Sequence, residues 1–247
     1  MVRQPGVVVV FDTAIHLLSY QKDSSREIDE VFYNEVHIPK GGEYALMLAD
    51  GSRVWLNAET TLRFPVQFAA DKREVFLEGE ACFEVTRNER CPFLVRTPQR
   101  TVEVLGTIFN VCAYPSDPYW HTTLVSGKVK IDTDESSCIL SPSEQYLENR
   151  ETGEKEIRQV RASEYLSWRL GKISFRGECL ENIIQKLERW YDFQIFYAND
   201  EVRHMRFRGV INKYDPFDVV LRKLERTTDI RFDIKGRTVI ASKIYRK

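Results

Sequence analysis

Residues 172–247 hold two copies of one pattern, and this duplication constrains the fold more than any other feature of the chain. The first copy runs Phe175-Arg176-Gly177, then Lys186-Leu187-Glu188-Arg189, then Asp192-Phe193-Gln194-Ile195-Phe196. The second runs Phe207-Arg208-Gly209, then Lys223-Leu224-Glu225-Arg226, then Asp229-Ile230-Arg231-Phe232. Leu180, Ile183, Ile184 and Leu187 fall at i, i+3, i+4 and i+7, as do Phe217, Val220, Leu221 and Leu224, so each copy centres on an amphipathic helix flanked by strands. Asp215-Pro216 is expected to start the second helix, with Asp as N-cap and Pro in the first helical position. Gly236 should turn a last hairpin into Val239–Ala241. The expected product is a small α+β domain of two βαβ units sharing one sheet, with both helices packed on it.

The preceding region has a different period. Between residues 37 and 150, short apolar runs alternate with glycines. Strands are predicted at Tyr44–Leu48, Val54–Leu56, Val75–Leu77, Ala81–Val85, Phe93–Arg96, Val102–Val104, Ile108–Cys112, Thr122–Val125 and Lys128–Ile131. Asp50-Gly51 sits between two such runs and marks a hairpin, because both residues tolerate positive φ. Gly79, Gly106 and Gly127 lie where strand-like runs meet, as turns or bulges require. Helical periodicity is almost absent, so this is an all-β domain, a sandwich or a solenoid-like stack. Residues 1–36 form a strand and loop segment that joins it, with strands at Val7–Val10 and Val31–Val36 and a charged loop over Lys22–Glu30. Residues 151–171 form a linker with a short helix near Ser163–Leu170, and residues 172–247 the duplicated domain.

Several function classes lose support. The net charge is -1, so no global basic field draws nucleic acid or anionic lipid. No stretch has the ~18 consecutive apolar residues of a spanning helix, and any export signal or membrane anchor is expected outside this sequence. The histidines, His16, His37, His121 and His204, are scattered without metal-ligand spacing. No GxSxG nucleophile motif occurs, and Asp50-Gly51-Ser52 is a turn. Glu78, Glu80 and Glu84 are taken as one solvated strand face shared with Cys82, not a glycosidase pair. The five cysteines lack CxxC spacing; Cys82 and Cys112 are small buried hydrophobes or, alternatively, a bridge. No catalytic residue, cofactor site or metal site is predicted, so the chain is not read as an enzyme.

Five ordered runs carry a resemblance. They are Pro39–Tyr44, Leu48–Asn57 (Leu-Ala-Asp-Gly-Ser-Arg-Val-Trp-Leu-Asn), Leu77–Val85 (Leu-Glu-Gly-Glu-Ala-Cys-Phe-Glu-Val), Val104–Val111 and Thr122–Val129. Together they resemble the FecR domain of periplasmic anti-sigma regulators of the Bacteroidetes type. The C-terminal repeat, with Glu188-Arg189-Trp190-Tyr191-Asp192, resembles the domain that follows it there, similar in layout to the small signalling domain that begins secretins and TonB-dependent receptors. The resemblance implies a periplasmic sensor. Its partner would be the signalling domain of an outer-membrane TonB-dependent transporter. A sigma factor would be held only by a cytoplasmic segment, and the inner membrane reached only by a spanning helix, both outside this sequence.

The small C-terminal sheet has edges, and an open edge accepts a strand from a partner. Met205, Phe207, Gly209 and Ile211 are the expected docking edge, and proline at Phe207 or Gly209 is expected to abolish docking. The alternative is a carbohydrate-binding module that stacks sugars on aromatic rings. Trp120, beside Pro118-Tyr119, is its best candidate, expected in an exposed loop.

Overall fold

The computed structural model describes residues 2–4, 7–12, 17–22, 31–133 and 136–245, with side chains from residue 31 onward. The chain divides between Leu166 and Ser167 into two compact units.

The first unit is built from strands. In chain order they are β1 (Val2–Gln4), β2 (Val7–Asp12), β3 (Leu17–Lys22), β4 (Tyr33–His37), β5 (Tyr44–Met47), β6 (Arg53–Leu56), β7 (Thr61–Pro65), β8 (Arg73–Glu84), β9 (Phe93–Arg96) and β10 (Thr101–Val104). There follow β11 (Ile108–Ala113), β12 (Tyr119–Ser126), β13 (Val129–Asp132), β14 (Ser137–Leu140), β15 (Glu144–Asn149) and β16 (Lys155–Gln159), then a short helix α1 (Ala162–Tyr165). One sheet runs β1-β2-β3-β5-β6-β8-β11-β12-β15-β16, and a second runs β4-β7-β8-β9-β10-β13-β14. Both contribute to a single core, so of the two expected arrangements the sandwich is the one formed. Phe83 and Phe109 stack at 5.2 Å on the first sheet, and Phe93 of the second meets Phe83 at 6.0 Å.

β8 belongs to both sheets. The two strands expected at Val75–Leu77 and Ala81–Val85 are one 12-residue strand. Its first half pairs with β7 and β9, and its second half with β6 and β11. The crossing point is Gly79, where φ is +109° and a Cβ would stand 2.7 Å from the Thr60 Cα. No other residue type meets both demands. The Asp50-Gly51 hairpin forms as expected, with Gly51 at φ +82°. A buried ion pair pins it: Arg73 Nη1 donates to Asp50 Oδ2 at 2.7 Å, and Arg73 Nε to the Cys91 carbonyl at 3.0 Å.

The 151–171 stretch is not a plain linker. Its residues supply β16, which extends the first sheet along β15, and α1. β7, β14 and β15 lack the expected signal because their sequences, such as Glu144-Gln145-Tyr146-Leu147, alternate weakly. Tertiary pairing selects them. The Lys22–Glu30 loop falls largely outside the described residues.

The second unit starts with a 3-10 turn, Ser167–Leu170. It continues β17 (Lys172–Cys179), α2 (Leu180–Trp190), β18 (Gln194–Tyr197), α3 (Asp200–His204), β19 (Arg206–Asn212), α4 (Phe217–Glu225), β20 (Ile230–Lys235) and β21 (Thr238–Lys243). Both helices bury the expected stripes: Leu180, Ile183, Ile184 and Leu187, then Val220, Leu221 and Leu224. The sheet differs from expectation, because there are two small sheets and not one. The first strands of the copies pair with each other (β17-β19, antiparallel), and the second strands flank the hairpin strand (β18-β21-β20). The helix start also differs by one residue. Pro216 occupies the cap, and the Asp215 carboxylate takes Lys223 Nζ at 2.6 Å. Glu178 takes Lys186 Nζ at the same distance and the same spacing in the first copy. The duplicated Lys thus ties each helix to the carboxylate just before it.

Candidate partner interface

Trp120 is no surface platform. It lies in β12 and is fully buried, its Nε1 donating to Thr97 Oγ1 at 3.1 Å and its ring edge-on to Tyr146 at 5.7 Å. In the same unit Arg100 and Glu148 form a buried two-pronged ion pair, with N···O distances of 2.8 and 2.6 Å. Pro118 suggests a loop locally, but pairing with β15 carries the strand back through Tyr119. The glycan reading thus loses its expected anchor.

The Glu78–Glu84 face is not simply solvated. Glu80 is half-buried and accepts hydrogen bonds from Asn57 Nδ2 at 2.8 Å and Asn110 Nδ2 at 2.9 Å, while Cys82 and Asn110 between the strands are fully buried. Cys82 and Cys112 are both buried thiols. Among the described residues no group of three or more His, Cys, Asp or Glu side chains is placed to hold a metal ion.

Among the described residues β19 is an edge strand, paired only with β17. The four residues expected to form its docking edge do not face outward. Phe207 and Ile211 are 3% exposed and belong to the core, Met205 packs against it, and Gly209 lies under the Phe175 ring. The outward residues are Arg206, Arg208, Val210 and Asn212. Alternation along a strand makes this unavoidable: the apolar residues that identify β19 in the sequence are the ones its core consumes.

The same alternation sorts the backbone. In an antiparallel pair, every second residue directs its N–H and C=O to the neighbour and the others direct theirs away. The Lys213 N–H bonds the Gly171 carbonyl at 2.8 Å, and the Leu180 N–H bonds the Met205 carbonyl at 2.9 Å. With the register Ile173↔Ile211, Phe175↔Gly209 and Glu178↔Phe207, residues 205, 207, 209 and 211 spend their amides on β17. Arg206, Arg208 and Val210 turn theirs to the open side. Proline at Phe207 or Gly209 would therefore break the β17 ladder and test nothing about docking. Proline at Val210 is the informative change.

The two repeat glycines differ in use. Gly177, at φ +71°, is the extra residue of a bulge in β17, where the register shifts between Arg176 and Glu178. Gly209 is extended, and its missing Cβ makes room for Phe175 Cε2, which a Cβ would meet at 3.2 Å. The end of β19 is fixed from below. Tyr191 Oη, on the residue that follows α2, donates to the carbonyls of Lys213 and Asp215 at 2.9 and 2.8 Å. Burial first, and then the negative charge of Asp215, pushes the Tyr191 phenol up to about 12. Lys213 is buried, with Nζ 4.2 Å from the Trp190 ring centre and 5.8 Å from that of Trp168. The sequence gives no local sign that Lys213 is buried with Trp168 and Trp190, since it follows a strand.

The other edges of the second unit are less open. Ser167 Oγ covers the outer side of β17 by donating to the Lys172 carbonyl at 3.3 Å. On β20, the outward N–H of Phe232 is taken by Glu225 Oε1 at 2.6 Å. β18 offers only four residues.

Comparison with known proteins matches two family models: FecR protein over residues 34–130 and FecR, C-terminal, over residues 172–241. A crystal structure at 1.65 Å of a protein from Parabacteroides distasonis ATCC 8503, provisionally assigned as an anti-sigma factor, is 33% identical with a TM-score of 0.81. The match covers 86% of this chain and 100% of that one. A second structure of a protein so described from the same organism, at 2.50 Å, gives the same identity and TM-score and covers 87% and 100%. No curated protein matches the chain.

Proposed function

We propose a relay function for this chain, which belongs to the FecR family of regulators. In this reading it is the sensing part of an anti-sigma regulator and acts by binding another polypeptide. It works in the periplasm as part of an inner-membrane protein, and a cytoplasmic segment outside this sequence holds the sigma factor. The signal comes from the signalling domain of an outer-membrane TonB-dependent transporter.

The observation that carries the proposal is the open side of β19. The register of the seven-residue strand β19 turns the amides of Arg206, Arg208 and Val210 away from β17, and Tyr191 holds the backbone just beyond the strand's end. Strand addition at such an edge gives affinity through main-chain bonds and requires no enclosed pocket. The similar solved structures are of proteins provisionally assigned as anti-sigma factors.

The test is a titration of the full chain with the signalling domain of a genetically neighbouring transporter, followed by calorimetry. Saturable 1:1 binding is expected. Absence of binding to every neighbouring signalling domain, with the chain folded by circular dichroism, would refute the relay reading.

A further inference from the structure

We infer that the open edge of β16 pairs with the β16 of a second copy of this chain, antiparallel and in one register, with Ile157 on the twofold axis. The inference concerns the first unit and is independent of the relay reading, which rests on β19.

β16 is the last strand of the first sheet, and among the described residues it pairs only with β15. Lys155, Glu156 and Gln159 are exposed, and Ile157 is 47% exposed. Two bonds at its ends fix which backbone groups are already used. The Asn149 N–H bonds the Glu154 carbonyl at 2.9 Å, and the Val160 N–H bonds the Ser143 carbonyl at 2.8 Å. Alternation between those ends directs the backbone of Glu156 and Arg158 to β15. It leaves the N–H and C=O groups of Lys155, Ile157 and Gln159 on the open side.

An open edge accepts another strand, and charged side chains usually guard it. Here the charges discriminate among registers. Two copies related by a twofold axis make an isologous contact, so their edge strands run antiparallel. Outward backbone groups must meet outward ones, so the axis that keeps most of the strand paired passes through Glu156, Ile157 or Arg158. On Glu156 the axis sets two glutamates opposite each other, and on Arg158 two arginines. On Ile157 it sets Glu156 of each copy opposite Arg158 of the other, Ile157 opposite Ile157, and Lys155 opposite Gln159. Opposite charges in that relation attract and like charges repel, so this register alone is favoured.

Both charges are placed for it. The Glu156 side chain makes no hydrogen bond or ion pair among the described residues. Arg158 donates from Nε and Nη2 to Gln145 Oε1 at 2.9 and 2.7 Å, and from Nη2 to Tyr165 Oη at 3.3 Å. Those acceptors are neutral, so they hold the guanidinium in position without meeting its charge. Ile157 stands opposite the buried Tyr146, and an Ile157–Ile157 contact continues that apolar row past the rim of the sheet. A five-residue strand pair is a small interface, so a weak, reversible dimer is expected, with a Kd on the order of 10–100 μM.

The test is sedimentation equilibrium of the full chain from about 1 to 500 μM. The unaltered chain should pass from monomer to dimer across that range. Ile157→Pro removes the amide on the axis without taking one from β15, and should leave a monomer. Glu156→Arg changes an exposed side chain and makes both charge pairs repulsive, so it should weaken the dimer at least about tenfold. Arg158→Glu should do the same alone, yet a mixture of the two single variants should form a heterodimer, because each strand then carries one sign of charge. Val210→Pro, on β19, should leave the dimer unchanged. A chain that stays monomeric throughout overturns the inference, as does Glu156→Arg dimerising like the unaltered chain with its fold retained by circular dichroism. Loss of the dimer in Val210→Pro would move self-association to β19 and overturn it too. None of these results alters the titration with the transporter domain, so the relay reading stands or falls separately.

Discussion

The two units handle charge in opposite ways. In the N-terminal sandwich, key arginines are drawn inward and ion-paired: Arg73 is 3% exposed against Asp50, and Arg100 is 9% exposed against Glu148. In the C-terminal unit, Arg176, Arg206 and Arg208 stay on the outer face of a two-stranded sheet. The sandwich also shares β8 between its sheets, while β19 keeps one side open. Paired, buried arginines build a scaffold, because each has its charge met by a carboxylate within the same unit. The amides of Arg206, Arg208 and Val210, turned away from β17, leave backbone available to a partner. The contrast teaches where in this chain recognition can occur.

The largest effect should come from breaking the scaffold's pairs. Arg100→Met leaves the Glu148 carboxylate buried without its cation and should cost about 3–5 kcal/mol. Denaturant unfolding measures this, and hydrogen exchange should localise the loss to the sandwich. A loss shared equally by the C-terminal unit would break the contrast.

A smaller effect separates the glycines. Gly79→Ala combines positive φ with collision against the Thr60 backbone and should cost about 3 kcal/mol. Gly177→Ala meets open space and suffers only from its φ, about 1–2 kcal/mol. Gly209→Ala has an ordinary φ and needs only a slight shift of the Phe175 ring, about 1 kcal/mol. The order of the three denaturation midpoints is the check, and a Gly209→Ala loss as large as that of Gly79→Ala would contradict the account of Phe175.

The smallest effect is a pH dependence. The Tyr191 phenol titrates near 10 when unfolded and near 12 when folded. Between those values the folded state holds the proton that the unfolded state has lost, so the contribution is complete below about pH 10 and disappears as pH rises to about 12. Tyr191→Phe should lower stability at neutral pH and flatten this alkaline decline. Tyr146 in the sandwich, also pushed up to about 12 by burial and by Glu148, should leave a residual decline in that variant. A pH profile unchanged by Tyr191→Phe would show that the Lys213 and Asp215 carbonyls do not depend on that hydroxyl.

Legibility in the sequence followed the range of the interactions. The two amphipathic helices, the Asp50-Gly51 hairpin and the final turn at Gly236 were readable, because each depends on residues within one or two turns of chain. Strands β7, β14, β15 and β16 were missed, and Trp120 was put in a loop, because their positions depend on partners far along the chain, as Trp120 does on Thr97 and β15. Apolar character marks β19 in the sequence, and the residues that carry it, Phe207 and Ile211, are the ones that face the core.

The sequence by itself determined which residues are apolar, at what period, and that the last third is duplicated. From these follows the fold class, while the family rests on the ordered runs that resemble it and on the family matches. Only the tertiary structure decided which strands pair and in what register, hence that β8 serves two sheets and that the amides of Arg206, Arg208 and Val210 face outward. The physical reason is that helix and turn preferences are set by neighbours in sequence, whereas a strand's two edges are distinguished only by which other strand reaches it.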